Sequence, residues 1–189
     1  MGAGGAGAGS GNDTVVICYG LCFNSQSIIE VIENGKLVKK TVSEIKKGEL
    51  VQTYNGNSKC LTEVTKIKKN EGLFECYEFK CRSNASNTKY ISVTGSHIMI
   101  VFGKGKDEIK FKKAEQIKVG ESFRTSEGIL EIIEINKKTM KDCFQLKTED
   151  GTVLANDILV STLYLEDNEN EKKLKKVLES SKIPNEILN

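Results

Sequence analysis

Hydrophobic and polar positions alternate along most of the chain in short runs, each closed by a dipeptide that favours a turn. Residues 13–19 open with a strand rich in β-branched side chains (Thr14, Val15, Val16, Ile17), which leads through Gly20 to the Leu21–Cys22 peptide bond. From there to about residue 162 the runs are separated by Asn34-Gly35, Lys47-Gly48, Asn55-Gly56, Glu71-Gly72, Val119-Gly120 and Asp150-Gly151. That spacing predicts an all-β domain of many hairpins, punctuated by glycine and asparagine because the chain holds a single proline, Pro184. Beyond Tyr164 the texture changes. Residues 165–170 are acidic, and Leu174, Val177 and Leu178 recur at helical spacing within residues 171–181. A short amphipathic helix is expected there, either docked on the β domain or leading into further sequence of a longer protein.

An internal repeat organises the β region. Ile45-Lys46-Lys47-Gly48-Glu49-Leu50-Val51 recurs as Ile117-Lys118-Val119-Gly120-Glu121-Ser122-Phe123. The echo continues in order, Glu63-Val64-Thr65-Lys66-Ile67 against Glu131-Ile132-Ile133-Glu134-Ile135, then Cys76-Tyr77-Glu78-Phe79 against Cys143-Phe144-Gln145-Leu146. Before the first copy, Ile28-Ile29-Glu30-Val31 has its counterpart in Ile98-Met99-Ile100-Val101. Two copies are too few for a solenoid, so the pattern predicts two similar halves packed about a pseudo-twofold inside one closed domain.

Bulk properties narrow the class. The chain has 189 residues, 28 Lys+Arg against 26 Asp+Glu, and 38% hydrophobic residues, which suits one globular domain with an appended tail. Lysines come in scattered pairs, and Arg82 and Arg124 are the only arginines, so solvated faces are expected rather than a nucleic-acid stripe. No apolar run is long enough to span a bilayer and no signal-peptide pattern opens the chain, so no membrane span is expected. Residues 1–12 are almost all glycine and alanine and read as a flexible leader outside the fold. Six cysteines (Cys18, Cys22, Cys60, Cys76, Cys81, Cys143) could form three disulfides, but a chain this long can build a core without them, and free buried thiols in a cytoplasmic monomer are the favoured expectation. A zinc site from Cys60, Cys76, Cys81 and His97 lacks the paired C-x-x-C spacing, so no metal and no cofactor is expected.

Two stretches carry candidate chemistry. Cys22 offers a thiol at the head of the β region, and Thr94-Gly95-Ser96-His97 holds the chain's single histidine. A thiolate is the attacking form of cysteine, and an imidazole can take or supply the proton that such an attack moves.

Cys22-Phe23 followed by Val42-Ser43-Glu44-Ile45-Lys46-Lys47-Gly48-Glu49-Leu50-Val51 resembles the opening of a Hint domain, the module shared by inteins, bacterial intein-like domains and Hedgehog autoprocessing regions. Val93-Thr94-Gly95-Ser96-His97 resembles that family's T-x-x-H block, and Leu154-Ala155-Asn156-Asp157-Ile158-Leu159-Val160-Ser161-Thr162 resembles its closing strand. The resemblance implies a Hint domain over residues 22–162, an upstream flanking segment at 13–21 and a charged tail at 163–189. It also implies chemistry: the Cys22 sulfur attacks the Leu21 carbonyl in an N-to-S acyl shift that leaves a thioester. His97 would hydrogen-bond and protonate the Cys22 nitrogen, while Thr94 would hold the histidine or the carbonyl in line.

Departures from the family pattern bear on the fate of that thioester. Where an intein carries a histidine, a terminal asparagine and a downstream nucleophile, this chain reads Ser161, Thr162 and Leu163, so full splicing is not expected. Thr162 falls where Hedgehog relatives have a second cysteine, Gln145 near an intein acid and Lys68 near a Hedgehog acid; whether Asp142 or Asp157 substitutes is left open. The implied function is single-turnover self-cleavage, its thioester resolved by water or by an added amine, thiol or alcohol. A short, charged tail argues against a sterol acceptor. An idle Hint domain serving as an interaction module is the alternative, and intein-like splicing a third. Lysine and asparagine richness fits an AT-rich genome, hence a bacterial intein-like domain or a ciliate one fused to a ubiquitin-like segment.

Overall fold

The computed structural model describes residues 15–16, 20–55, 58–82, 87–102, 108–164 and 168–179. The leader, Cys18, Gly56, most of the 13–19 run, the Val177 side chain and the tail beyond residue 179 lie outside the described residues. The chain begins with β1 (Val15–Val16), β2 (Cys22–Asn24), β3 (Ile28–Glu33), β4 (Lys36–Thr41), β5 (Leu50–Tyr54), β6 (Lys59–Arg82) and β7 (Thr88–Thr94). It continues with β8 (Ile98–Phe102), β9 (Ile109–Lys113), β10 (Ser122–Thr125), β11 (Gly128–Thr148), β12 (Thr152–Ala155), β13 (Ile158–Ser161) and one helix, α1 (Asn168–Glu179). The expected all-β class is the observed one, in a single hydrogen-bonded sheet that curls back on itself.

Its spine was not expected. In place of uniformly short strands, β6 and β11 run 24 and 21 residues and pair antiparallel from Val64 opposite Thr148 to Arg82 opposite Glu131. Glu71-Gly72 is accordingly not a hairpin turn. The two residues sit inside β6, where Leu73 pairs with Lys141 but Asn70 pairs with Cys143, so the register slips at Asp142. Asn34-Gly35 does turn the β3–β4 hairpin, with φ of 51° and 74°, the left-handed pair that a two-residue type I′ loop needs.

The repeat is geometric. Ser27 N–H donates to the Asn24 carbonyl at 3.0 Å as His97 N–H donates to that of Thr94 at 3.0 Å. Val42 and Ala114, the first residues of two short 3-10 turns, donate to the Ser27 and His97 carbonyls, both at 2.8 Å. At the Lys-Gly-Glu corners Gly48 and Gly120 adopt φ of 89° and 90°, out of reach of most L side chains, and donate to Val64 and Ile132. The axis passes where Phe23 of β2 pairs with Val93 of β7, since Cys22, Phe23 and Asn24 oppose Gln145, Phe144 and Cys143 just as Ser92, Val93 and Thr94 oppose Glu78, Tyr77 and Cys76.

Period-2 burial builds the shared core: Ile29 and Val31 of β3, Met99 and Val101 of β8, and Phe79 edge-on to Phe123 at 5.4 Å all point into it. The helix docks. Leu174 and Leu178 are buried, Leu178 against Ile100, Phe102 and Leu159, and Lys173 donates to the Glu149 carbonyl at 2.5 Å. Burying two leucines contributes about 3–6 kcal/mol before the ordering entropy of the helix is set against it.

Candidate functional site

Gly20, Leu21 and Cys22 are buried, and further upstream Val15 and Val16 of β1 pair parallel with Leu73 and Phe74 of β6. Cys22 starts β2 between β11 and β7, so its backbone is clamped at the pseudo-twofold axis. The T-x-x-H spacing has a local meaning. Thr94 ends β7, Gly95 and Ser96 form the turn, and the His97 N–H closes it on the Thr94 carbonyl, so both functional side chains leave a single tight bend.

Thr94 bridges the backbone across Leu21. Its hydroxyl donates to the Gly20 carbonyl at 2.8 Å and accepts the Cys22 N–H at 3.2 Å. The expected partner of that N–H was His97; a hydroxyl on the same bend reaches it instead. His97 lies on the other side of Cys22, with Nδ1 3.3 Å from the Cys22 carbonyl oxygen and Nε2 3.0 Å from the Ser161 carbonyl oxygen. Its ring stands edge-on to Phe23 at 4.6 Å, which fixes its plane. Carbonyl oxygens only accept, so a neutral ring can serve one of the two, and a doubly protonated ring serves both. Ser96, a residue the motif treats as a spacer, donates its hydroxyl to the Gly20 carbonyl at 3.0 Å.

The remaining candidates separate. Ser161 meets His97 through its carbonyl, while its hydroxyl exchanges hydrogen bonds with the Leu163 backbone. Thr162 is buried with its hydroxyl 3.0 Å from that of Thr148, and its N–H donates to Gly151. Gln145 faces Cys22 across β2–β11 in register, yet its amide donates to the Tyr164 hydroxyl at 3.1 Å. Asp142 is turned to the bulge: one carboxylate oxygen accepts the Gly72 N–H at 3.1 Å and the other meets the Lys69 ammonium at 3.2 Å. Those two contacts, the Gly72 N–H first, hold its carboxyl below the usual carboxylate range. Lys68 is exposed on β6, and Asp157 pairs with Lys89 in the β12–β13 turn.

Around the sulfur, Cys22 packs with Phe74, Cys76, Met140 and Cys143 in a small cluster separate from the main core. Asn70 reaches into it, its amide nitrogen 3.4 Å from the Cys22 Sγ and 3.9 Å from that of Cys143. Sequence reasoning missed Asn70, for an asparagine in a polar run carries no signal of its own; the unusual Asn-Glu-Gly break in a strand was the available hint. Cys22, Cys60, Cys76, Cys81 and Cys143 are free thiols, and among the described residues no three His, Cys, Asp or Glu side chains are grouped to hold a metal.

No family model and no curated protein sequence matches the chain. Solved structures do. An intein from a hyperthermophile superposes with a TM-score of 0.62 at 16% identity, covering 74% of this chain and 98% of that one. The transcription factor IIB Mvu mini-intein gives 0.61 at 16%, over 75% of this chain and 99% of its own. The bacterial intein-like domain from Clostridium thermocellum gives 0.56 at 21%, over 74% and 97%. This is the Hint fold. Within it, the duplicated halves, the β2 entry and the T-x-x-H bend occupy one continuous piece of structure, and α1 adds a helix packed on the second half.

Proposed function

We propose that this Hint domain processes itself at the Leu21–Cys22 bond. The Cys22 sulfur adds to the Leu21 carbonyl, the C–N bond breaks, and the upstream polypeptide is left as a thioester on Cys22. The observation that carries this is the grip on residues 20–22: two hydroxyls on the Gly20 carbonyl, one of them also accepting the Cys22 N–H, with an imidazole on the Cys22 carbonyl.

Amide resonance keeps a peptide bond planar and its nitrogen a poor leaving group. Holding the Gly20 carbonyl and the Cys22 N–H on one hydroxyl ties together the two peptide units that flank Leu21, so the Leu21 carbonyl is kept in place for an approaching sulfur. As the bond breaks, the nitrogen needs a proton. Thr94 Oγ1 already sits at hydrogen-bonding distance from it, and the His97 ring, at the carbonyl of the same residue, is the one imidazole that can supply acid. Burial keeps bulk water from the thioester until a nucleophile enters.

Ser161, Thr162 and Leu163 supply no asparagine amide to cyclise and no downstream acyl acceptor, so cleavage or ligation at the upstream junction is the proposed outcome rather than splicing. The partner is the polypeptide fused ahead of Cys22, for which a ubiquitin-like segment is one proposed form. A precursor carrying a folded protein ahead of Asp13, treated with hydroxylamine or a thiol, tests this. Release of an upstream fragment whose mass shows a hydroxamate or thioester at Leu21, abolished in Cys22→Ala, is expected. A precursor that stays intact for days would establish the idle module instead, and a product joining both flanks would establish splicing.

A further inference from the structure

We propose that Asn70 is a positioning residue for the Cys22 sulfur, its side-chain amide donating to Sγ and holding it as a hydrogen-bonded thiolate acceptor on the path to the Leu21 carbonyl. This rests on the reading of Cys22 as the nucleophile. A side-chain amide carries two N–H donors, and the Asn70 nitrogen has two sulfurs within reach, 3.4 Å to Cys22 and 3.9 Å to Cys143. An apolar surround favours the neutral thiol, whereas an N–H aimed at sulfur is a weak bond to a thiol and a strong one to a thiolate. The contact therefore strengthens as the proton leaves.

The backbone shows how this asparagine comes to point there. Glu71 and Gly72 of β6 stand against Asp142 alone on β11, a bulge in which Asp142 takes a φ of 56°. The carboxylate of Asp142 stitches the bulge by accepting the Gly72 N–H and binding Lys69. Bulges redirect the side chains beside them, and Asn70 is the residue at which pairing with Cys143 resumes. Asp142, a candidate acid in the sequence, thus acts on the sulfur through Asn70 rather than by contact.

The test uses the full chain with its upstream segment, labelled at cysteine Cβ with carbon-13. The Cys22 resonance, identified by its loss in Cys22→Ser, is followed from about pH 6 to about pH 10. Asn70→Ala is expected to raise the Cys22 titration midpoint by about one pH unit, a tenfold loss of thiolate at fixed pH. Asn70→Asp, nearly isosteric and without a donor when ionised, is expected to raise it at least as far, and covers the case in which the alanine variant does not fold. The acid limb of the cleavage rate is expected to move by the same amount, and Asn70→Gln to restore part of both. A midpoint unmoved in the alanine and aspartate variants while cleavage proceeds overturns the role of Asn70 and leaves the acyl shift standing. A shifted midpoint in a chain that never cleaves supports the contact and overturns the self-processing reading.

Discussion

The two halves share one backbone and differ in chemistry. Where the T-x-x-H bend and the strand it grips hold Cys22, Thr94 and His97, the twofold-related places hold Ser92, Asn24 and Ser27; Gln145 and Asn70 correspond to Glu78 and Lys138. In the second set Ser92 donates to the Glu78 carboxylate at 3.4 Å, and Lys138 closes on the same group at 2.5 Å. A carboxylate with an ammonium has filled the place that two side-chain amides occupy in the first set, and a hydroxyl that of the thiol. Burial pushes the thiol of Cys76, the counterpart of Cys143, up, and Glu78 adds to the effect. Ser27, in the position of His97, is buried with its hydroxyl lacking a hydrogen-bond partner among the described residues. Duplication thus supplies a strand, a bend and a corner twice, and side chains decide which bend does chemistry.

Substitutions made in pairs sharpen this contrast. Cys22→Ala is expected to abolish cleavage and Ser92→Ala to leave its rate unchanged, read by gel and intact mass. His97→Ala is expected to cost about 10²- to 10⁴-fold in hydroxylamine-induced cleavage, the usual worth of a general acid, with Ser27→Ala again neutral. If Ser27→Ala slowed cleavage as much, the two bends would not be chemically distinct. Thr94→Val keeps the shape and removes the bridge between Gly20 and Cys22; losing such bonds at about 1.5–3 kcal/mol predicts roughly ten- to a hundredfold slower cleavage in single-turnover kinetics.

Stability offers a smaller effect with the opposite sign. Ser27→Ala removes an unsatisfied buried hydroxyl and is expected to raise the urea midpoint, by about 1 kcal/mol at constant m. The smallest effect tests what the halves have in common. At each corner burial works to raise the carboxyl of Glu49 or Glu121, but the Lys40 or Lys112 ammonium and the Lys46 or Lys118 N–H outweigh it and hold both below their ordinary 4.5. A carboxyl lowered on folding contributes stability above its unfolded value, and that contribution disappears as pH falls through the folded value. Glu49→Gln and Glu121→Gln should therefore each cost about 1 kcal/mol or less at neutral pH and nothing well below pH ~4, in matching measure. Acid unfolding curves that single out one corner would show the copies to be unequal there.

Much of this was legible in the residues. The ordered echoes of Ile45-Lys46-Lys47-Gly48-Glu49 and Cys76-Tyr77-Glu78-Phe79 returned as superposable corners and as symmetric pairing across the axis, because a repeated pattern of buried and turn-forming positions can fold only into a repeated shape. Asn34-Gly35 was a reliable hairpin. Glu71-Gly72 was not, since the same dipeptide suits a turn or a bulge and only the long partner strand, with Asp142 waiting opposite, chooses between them. The exchange of Thr94 for His97 at the Cys22 nitrogen was equally hidden: T-x-x-H places both side chains on one bend without saying which faces which atom.

By itself the sequence determined that the domain is all-β, doubled and headed by a cysteine, for alternation, turn chemistry and repetition are local properties that any fold of this chain must honour. Tertiary structure decided who touches the sulfur and the scissile bond. Asn70, Thr94 and His97 are 48, 72 and 75 residues from Cys22, and contacts over such distances are set by strand register and by one bulge, to which the order of residues along the chain is blind until the sheet closes.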